Sequence, residues 1–433
     1  MNILIVGNGG RENAIAYQIY HSESFRKNHS KLFCTYPSPG ISLFAESVDI
    51  QLSDTFGLVK FCKKNKIDYT IVGPEIPLSL GIVNEFEKNN LKIFGPSKQA
   101  AEIETSKVFS KNFMEKYNIP TASYKSFDSV SYKECFSFAE KSGFPLVVKA
   151  DGLAAGKGVV IVNDLEELKN TIKEFTEDRI FGESGCSFVL EEFLNGYELS
   201  VFAITDGEDY VLLPFAQDHK KIGERETGKN TGGMGAYAPA DFLVDDILKE
   251  KIKSGIISPV LSALKKENRK YKGCLYCGLM IVENSDGNKS PFVIEFNCRF
   301  GDPETQAVLP LIKSDFLALL ISSVEGNIRN YMMDIYKDFN CCVVLASGGY
   351  PDKYETGKII TGLTDIDTDC LVFHSGTKLV DGNIITNGGR VLSIISKAKS
   401  LKDAIDKCYL NIGHINFEKM YYRRDIALKG LLK

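Results

Sequence analysis

The chain has 433 residues, of which 44% are hydrophobic and 25% charged, and its formal net charge at pH 7 is −4. This length suits about two to four domains with buried cores, and the small net charge excludes a general electrostatic attraction to nucleic acid or anionic membranes. The N-terminus lacks the features of a secretory signal, and no apolar run reaches the roughly 20 residues of a membrane span. We therefore predict a cytoplasmic protein that binds neither nucleic acid nor membrane.

Strands and helices are predicted to alternate in the first part of the chain. Short apolar runs predict strands of a parallel sheet at residues 3–6, 31–35, 69–72 and 92–94. Glycine turns follow two of these strands, at residues 7–10 and 73–75, which is where such sheets bind ligands.

The first glycine turn allows two interpretations. A dinucleotide-binding fingerprint requires glycine where Glu12 stands, so a nicotinamide cofactor is disfavoured. A turn that offers backbone N–H groups to a phosphate, with Arg11 at the start of a helix, stays open. A tight turn without any ligand stays open as well.

A glycine-rich loop at residues 152–158 lies in a compact α/β segment, after a predicted helix at 101–118 that Pro120 ends. It is not a Walker phosphate loop, because only three residues separate Gly152 from Gly156 and Lys157 is followed by glycine. The β-branched run that comes next predicts a strand where a Walker loop has a helix. The pattern therefore predicts strand, glycine loop, strand.

Two motifs with polar side chains follow at residues 217–221 and 230–236. The first places Asp218 and His219 beside two lysines, and His219 is either a proton acceptor or, more commonly for such a residue, a binding or structural group. The second, Asn-Thr-Gly-Gly-Met-Gly-Ala, has few side chains and could bring backbone donors close to a small substrate.

The most informative local pattern is the strand Val293–Asn297 with the residues after it. Alternation along a strand places Glu295, Asn297 and Arg299 on one face, and Ile294, Phe296 and Cys298 in the core. Carboxylate and amide oxygens suit magnesium, which completes its coordination with water and nucleotide phosphates. The guanidinium suits an anionic reactant. An ordinary solvated strand face is the alternative.

Eleven cysteines without a secretory signal are expected to remain thiols. Cys274 and Cys277 have the spacing of half a zinc site or a redox pair, but they lie in an apolar strand. We interpret them, and Cys341 with Cys342, as small buried hydrophobic residues.

Taken in order, these motifs resemble the ATP-grasp ligases and, more narrowly, the phosphoribosylamine–glycine ligase family. The resemblance covers residues 2 to about 425 and is carried by Gly9-Gly-Arg-Glu12, Val72-Gly-Pro-Glu75, Lys149–Gly158, Glu191–Leu194, Gln217-Asp-His-Lys220, Asn230–Ala236, Glu295-Phe-Asn297 and Phe300-Gly-Asp-Pro-Glu304.

This resemblance implies an α/β fold with four parts: a Rossmann-like, biotin-carboxylase-like N-terminal domain, an ATP-grasp lid, a central ATP-grasp body and a small α+β C-terminal domain. The expected boundaries are 1–103 for the N-terminal domain, 123–194 for the lid, 104–122 with 195–328 for the body, and 329–433 for the C-terminal domain.

The resemblance also implies the reaction. ATP phosphorylates the carboxylate of glycine, and the amine of 5-phosphoribosylamine attacks the glycyl phosphate to give glycinamide ribonucleotide, ADP and phosphate in purine biosynthesis. The implied cofactors are ATP and Mg²⁺, with Mn²⁺ as an alternative ion held by Glu295 and Asn297. We expect a monomer with this single function.

The remaining site residues are implied in the same way. Glu191–Leu194 would bind adenine through the backbone, and Glu198 would bind the ribose hydroxyls. The nucleotide contacts are assigned to Lys107, Lys149, Gly156, Lys157, Gly158, Glu191, Glu192, Phe193, Leu194 and Glu198. Direct roles in catalysis are assigned to Lys149, Asp218 and Arg299. The substrate contacts are assigned to Gly10, Arg11, Glu75, Asp218, His219, Gly232, Gly233, Arg299 and Asp302.

Two departures from the family pattern lie on the phosphoribosylamine side. Asn13 stands where histidine usually follows Gly-Gly-Arg-Glu, and Pro37-Ser-Pro-Gly40 replaces Pro-Gly-Asn-Ala-Gly. The prolines have no N–H to donate, so the sugar-phosphate contacts stay open. Two other functions also stay open: an ATP-grasp carboxylase that activates bicarbonate, and a nucleotide-binding regulatory protein without turnover.

Overall fold

A five-stranded parallel sheet forms the first part of the molecule. The computed structural model describes residues 1–128, 131–153 and 158–432, without the side chains of residues 183 and 184. The strand order is β3-β2-β1-β4-β5. The strands are β1 (Asn2–Val6), β2 (Lys31–Thr35), β3 (Glu46–Val48), β4 (Tyr69–Val72) and β5 (Ile93–Phe94). The helices are α1 (Gly10–His21), α2 (Glu23–Lys27), α3 (Thr55–Lys64), α4 (Glu75–Leu80) and α5 (Ile82–Lys88). The predicted strands at 31–35 and 69–72 are confirmed to the residue.

The single helix predicted over residues 101–118 is wrong, because the structure has two helices there, α6 (Lys98–Thr105) and α7 (Lys107–Lys116). Ser106 is extended (φ −132°, ψ 116°), and its hydroxyl accepts a hydrogen bond from the Phe109 N–H at 3.0 Å. It is thus the N-cap of α7, a role that serine commonly takes. The break turns α7 so that Lys107 and Lys111 approach the acidic residues described below.

The next sheet is antiparallel and has the order β6-β9-β7-β8. Its strands are β6 (Tyr124–Asp128), β7 (Leu146–Ala150), β8 (Val159–Val162) and β9 (Ser187–Glu192), and its helices are α8 (Glu134–Ser142) and α9 (Leu165–Thr176). The predicted strand–loop–strand pattern around the glycine loop is confirmed by the pairing of β7 with β8. This sheet has its own hydrophobic core, which includes Phe127, Val148 and Phe188.

The middle of the chain contributes strands to three sheets, one of which is the two-stranded pair of β13 and β14. Its strands are β10 (Tyr197–Thr205), β11 (Tyr210–Leu212), β12 (Gln217–Asp218), β13 (Lys221–Gly223), β14 (Thr227–Asn230), β15 (Gly235–Ala238), β16 (Gly273–Glu283) and β17 (Lys289–Asn297). Its helices are α10 (Asp246–Ile252), α11 (Ser258–Lys266), α12 (Glu304–Val308) and α13 (Phe316–Glu325). An antiparallel sheet of order β11-β10-β16-β17 carries Glu295 and Asn297 on its last strand.

The C-terminal part completes the sheet that contains β12 and β15. Its elements are β18 (Phe339–Ala346), β19 (Cys370–His374), β20 (Thr377–Val380), β21 (Asn383–Thr386), β22 (Arg390–Ala398) and α14 (Leu401–Ile412). The sheet order is β12-β15-β18-β22-β19, so that β12 and β15 pair with strands from the end of the chain. The predicted boundary at 328/329 stays a prediction, but this sheet extends across it.

The central strands are buried on both faces, as expected when helices cover a parallel sheet. Leu4 and Val6 of β1 belong to one apolar cluster, and Ile3 and Ile5 belong to another. The four cysteines at 274, 277, 341 and 342 are buried in these clusters, as predicted. None of the helices in the described ranges has both the length and the apolar character needed to cross a bilayer.

Candidate active site

A cleft of about 650 Å³ collects residues from every part of the chain. Arg11 and Glu75 come from helices α1 and α4, which follow strands of the parallel sheet. Lys149 and Glu191 come from strands β7 and β9, and Arg390 comes from the C-terminal part. Residues far apart in sequence therefore meet in one place, as the sequence predicted for most of them.

Two buried lysines, Lys149 in the lining of the cleft and Lys111 behind it, share one carboxylate. Lys149 Nζ lies 2.9 Å from Glu191 Oε2 and donates to the Ile294 carbonyl at 2.9 Å, and Lys111 Nζ lies 2.8 Å from the same Glu191 oxygen. Burial lowers the pKa of Lys111 to about 8, although Glu191 opposes the shift. Lys149 thus reaches the cleft with its ammonium group in a fixed position, which suits contact with a phosphate.

Glu295 is surrounded by positive charge. Its two oxygens lie 3.7 Å from Lys107 Nζ and 3.7 Å from Lys220 Nζ. Burial alone would raise its pKa, but Lys220, Lys107 and Lys149 outweigh this effect and hold the pKa at about 2. The Glu295 carboxylate is therefore ionised at neutral pH and available to a cation beside the Asn297 side chain, which lines the same cleft.

The prediction that Ile294 points into the core is wrong. The pairing of β17 with β16 shifts register, because Gly278 faces Glu295 while Leu279 faces Val293. Ile294 is the extra residue of this bulge and is partly exposed in the cleft, whereas Val293 is fully buried. Bulges turn side chains in this way and are common next to active sites.

Arg299 is fixed by two carboxylates. Its Nε lies 3.1 Å from Glu75 Oε2 and its second terminal nitrogen, Nη2, lies 2.9 Å from Glu104 Oε1. Glu104 also accepts a hydrogen bond from the Cys298 N–H at 2.7 Å. These contacts join the parallel sheet, α6 and the end of β17 around the predicted substrate residues Glu75 and Arg299.

Asp218 belongs to a cluster of buried carboxyl groups. Burial, together with the charges of Glu304 and Glu198, raises the pKa of Asp218 to about 7, although Lys220 opposes the shift. Burial also raises the pKa of Glu304, whose Oε1 accepts a hydrogen bond from the Tyr276 hydroxyl at 3.0 Å. Asp218 is therefore poised to change its charge near neutral pH.

His219 does not line the cleft as the substrate contact that was predicted. It is 1% exposed, and its Nε2 accepts a hydrogen bond from the Ala427 N–H at 3.2 Å. Burial lowers its pKa well below the usual value, which keeps the ring neutral. The physical reason is alternation, since Asp218 and Lys220 point into the cleft while the residue between them points away.

The glycines predicted to contact substrate are engaged within the protein. The Gly232 N–H donates to the Tyr350 hydroxyl at 3.0 Å, and the Gly233 N–H donates to the Thr231 hydroxyl at 2.9 Å. These two N–H groups thus have partners within the protein, and Gly232 lines the cleft. The contact of Gly232 and Gly233 with substrate stays a prediction. A side chain at Gly10 would collide with Ser375 and Gln306, so this glycine lets the start of α1 approach α12 and the segment after β19.

Arg11 and Asp302 lie at the contact between α1 and the segment that follows β17. Arg11 donates to Glu12 Oε1 at 2.6 Å and to the Phe300 carbonyl at 3.1 Å. Asp302 Oδ1 accepts from Gln306 at 2.8 Å and lies 3.3 Å from the Arg390 guanidinium. Both predicted substrate residues line the cleft with their side chains held in place.

The predicted adenine segment, Glu191–Leu194, also lines the cleft, and so do Gly158 and Glu198. Glu198 Oε2 lies 3.1 Å from Lys220 Nζ. The predicted nucleotide contacts Gly156 and Lys157 lie outside the described residues.

Several residues of the site were missed by the sequence interpretation. Lys111 is one helical turn after Lys107, so its spacing was a usable signal. Glu304 ends a motif that the sequence interpretation used, but no role was predicted for its carboxyl group. Glu104, Tyr276 and Arg390 gave no local signal, because their partners lie far away in sequence.

The two departures from the family pattern lie outside the described lining of the cleft. Asn13 Oδ1 accepts a hydrogen bond from the His374 N–H at 2.7 Å. Gly40 packs against both Asn13 and His374. These residues thus connect the parallel sheet to the C-terminal part.

A metal ion bound by protein side chains alone does not fit this site. Within the described ranges, no three His, Cys, Asp or Glu side chains form a group that could hold an ion. Glu295 and Asn297 supply two oxygen donors, which fits magnesium when the nucleotide and water supply the rest.

The fold and this site define an ATP-grasp ligase. A family model described as "Phosphoribosylglycinamide synthetase, ATP-grasp (A) domain" matches residues 105–305, and the N and C domain models of the same family match residues 1–104 and 340–429. The chain belongs to the phosphoribosylglycinamide synthetase family.

Full-length relatives agree with this assignment. The chain is 46% identical over 427 residues to the phosphoribosylamine–glycine ligase of Caldanaerobacter subterraneus, with 99% of each chain covered, and 44% identical over 441 residues to that of Chlorobaculum tepidum, with 100% covered. The crystal structure of the Thermotoga maritima ligase matches with a TM-score of 0.83 and 31% identity, covering 99% of this chain and 100% of the other. The predicted ligase activity in purine biosynthesis is confirmed.

The predicted α/β fold, with N-terminal, ATP-grasp and C-terminal domains, is confirmed as well, while the separate boundaries of lid and body stay a prediction. A biotin carboxylase from Campylobacter jejuni matches with a TM-score of 0.72 over 100% of this chain and 95% of its own. Its identity is 14%, so this likeness concerns the fold alone.

Proposed function

We propose that the cleft joins glycine to 5-phosphoribosylamine through glycyl phosphate, with ATP as the phosphoryl donor and Mg²⁺ bound by Glu295 and Asn297. The observation that carries the proposal is the meeting of Lys149, ionised Glu295 and the pair Asp218 and Arg299 in one cleft. The charges of Lys149 and Glu295 suit phosphoryl transfer. Arg299 suits binding of an amino-acid carboxylate, and Asp218 suits an amine.

The phosphoryl step needs charge neutralisation, because a carboxylate must attack an anionic nucleotide. Lys107 lies beside Glu295, and Lys149 donates to the carbonyl of the preceding residue, so both supply fixed positive charge near this carboxylate. The metal, when bound, would act as a Lewis acid toward the phosphate oxygens. The lysines therefore contribute mainly by position and electrostatics.

The adenine end also fits a nucleotide. Glu191 Oε1 is buried and has no hydrogen-bond partner among the described residues. An unpaired buried acceptor is costly, and the exocyclic amine of adenine is a donor that could reach it. The ribose would lie toward Glu198, and the phosphates toward the loop that includes Gly158.

The substrate end is assigned by charge. Arg299, fixed by Glu75 and Glu104, is proposed to bind the glycine carboxylate before its phosphorylation. Asp218 is proposed to receive the proton that the amine loses as it attacks the acyl phosphate, because its pKa of about 7 suits proton transfer at neutral pH. Arg11 and Asp302 would face phosphoribosylamine. We also propose that the protein is a cytoplasmic monomer. Analytical ultracentrifugation tests its oligomeric state.

The test is ADP release with Mg²⁺, measured with glycine, phosphoribosylamine and bicarbonate added separately and together. We expect turnover only with glycine and phosphoribosylamine together. Turnover that requires bicarbonate would indicate a carboxylase, and no turnover in any mixture would indicate a regulatory nucleotide-binding protein.

The metal assignment makes a first prediction. Glu295→Gln keeps the shape of the side chain but removes the charge that holds the ion, so we expect turnover to fall at least about 100-fold. Excess Mn²⁺ or Mg²⁺ should restore part of it. Glu283→Gln, an exposed residue at the other end of the same hairpin, is the matched control. Equal activity in the two variants would refute the assignment.

A further inference from the structure

Arg390 reaches the cleft from the first residue of β22, outside every motif that identified the site. Its backbone is anchored on both sides, because it pairs with Ala346 of β18 and its carbonyl accepts a hydrogen bond from the Gly376 N–H at 2.9 Å. The guanidinium therefore projects from a rigid base.

The hydrogen bonds described for Arg390 run through one terminal nitrogen, Nη1. This nitrogen donates to the carbonyls of Gly232 and Gly233, the latter at 3.4 Å, and to the Asp302 carbonyl at 2.9 Å. It also lies 3.3 Å from Asp302 Oδ1. One fixed positive charge thus joins the two loops that carry predicted substrate residues.

Tyr350 completes the arrangement. Its hydroxyl accepts the Gly232 N–H, while Arg390 binds the Gly232 carbonyl, so both polar backbone groups of Gly232 are held by C-terminal residues. Arg390 also acts on Asp302, since burial alone would raise the pKa of this carboxyl group but Arg390 and Arg11 hold it below the usual value. The loop at 231–233 and the Asp302 carboxylate therefore owe their placement to the C-terminal part.

We propose that Arg390 is a positioning residue for the amine substrate, which fixes the Gly232–Gly233 loop and Asp302 against each other. This inference rests on the proposed function only in naming phosphoribosylamine as the substrate that the two loops face. Arginine suits the task because its planar group binds several acceptors and stays charged at all relevant pH values.

The variants Arg390→Gln, Arg390→Lys and Tyr350→Phe test the proposal. Lys229→Ala is the matched control, because Lys229 also connects the middle of the chain to a C-terminal residue, Asp352 at 2.8 Å, but is exposed and does not line the cleft. Steady-state kinetics would give separate KM values for ATP and for phosphoribosylamine, which can be formed in situ from ribose 5-phosphate and ammonia.

We expect Arg390→Gln to lower kcat/KM for phosphoribosylamine about 10- to 100-fold, the range for loss of a hydrogen bond to a charged group. The KM for ATP should change less than about threefold, because a change of that size is smaller than the loss of one hydrogen bond to a charged group would cause. Arg390→Lys should recover part of the loss, and Tyr350→Phe should show a smaller effect in the same direction. Equal losses for both substrates, or kinetics like those of Lys229→Ala, would overturn the proposal.

Hydrogen exchange separates this proposal from the proposed function. The amides of Gly232 and Gly233 should exchange faster in Arg390→Gln than in wild type, whatever the wild-type enzyme ligates. If the wild-type enzyme shows no glycine-dependent turnover, the proposed function fails. The hydrogen-exchange rates of the Gly232 and Gly233 amides would still test whether Arg390 holds this loop. Unchanged exchange at these amides would refute the role of Arg390 even in an active ligase.

Discussion

Asp218 is the residue whose charge state is most sensitive to pH within the proposed mechanism. A pKa of about 7 means that the carboxyl group is neutral below this pH and ionised above it. Because only the carboxylate can accept a proton, activity should rise as pH increases through about 7.

We expect kcat/KM of the wild type to fall roughly tenfold per pH unit on the acidic side of this pKa. Asp218→Asn should be nearly inactive and should lose this acidic limb from its residual activity. The control is Asp209→Asn, an exposed residue in the β10–β11 turn, which should keep the wild-type profile. A pH profile unchanged in Asp218→Asn would exclude the proposed proton acceptor.

The same shift affects stability. An Asp side chain in an unfolded chain titrates near pH 4, whereas folded Asp218 holds its proton up to about pH 7. The folded state binds the proton more tightly, so this contribution to stability is present at low pH and is lost as pH rises through about 7.

Strand β9 organises the positive charge of the cleft at the scale of secondary structure. It places Glu191 between Lys111 of α7 and Lys149 of β7, and all three side chains are nearly inaccessible to solvent. One carboxylate therefore balances two ammonium groups from different elements, and removing its charge leaves two buried cations uncompensated.

Glu191→Gln should destabilise the protein by about 3–5 kcal/mol, the range for breaking a buried ion pair. It should also weaken ADP binding, because Lys149 would lose its partner. Urea denaturation and calorimetric titration with ADP measure the two effects. Glu192→Gln, at the next and exposed position, should have little effect on the denaturation midpoint; an equal loss in this variant would contradict the explanation.

Sequence patterns predicted elements better than their irregularities. The runs at 31–35 and 69–72 are strands to the residue, because apolar periodicity reports burial directly. The break at Ser106 and the bulge at Ile294 were missed, since both depend on contacts with other elements. The ion pair between Glu104 and Arg299 was missed for the same reason, whereas Glu295 and Asn297 were found because two-residue spacing is a local signal.

At the scale of the whole molecule, C-terminal residues hold the β13–β14 hairpin and strand β12. Arg423 is 1% exposed and donates to the Lys221 carbonyl at 2.9 Å and to Glu226 at 2.9 Å, and it also pairs with Asp425 at 2.8 Å. Lys429 donates to the Asp218 carbonyl. The position of Asp218 therefore depends on residues about 200 positions away, as these contacts show.

Arg423→Met should lower the free energy of unfolding by about 2–3 kcal/mol, because it leaves charged and carbonyl acceptors without their donor. The adjacent Arg424→Met is the control, since Arg424 is exposed. Thermal unfolding of the two variants and of wild type measures the difference. Matching unfolding temperatures in the two variants would show that the buried contacts of Arg423 contribute little.

The sheet that joins β12 and β15 to β18 and β22 has a consequence for synthesis on the ribosome. When the chain has been made as far as residue 330, β15 still lacks the strand that pairs with it from residue 339 onward. Domains generally fold as they emerge from the ribosome. The parallel sheet and the sheet of β6 to β9 can therefore form earlier than the sheet that carries Asp218 on β12 and that Gly232 precedes at β15. The cleft is therefore completed last, and a prematurely terminated chain can fold its N-terminal sheets without completing the cleft around Asp218 and Gly232.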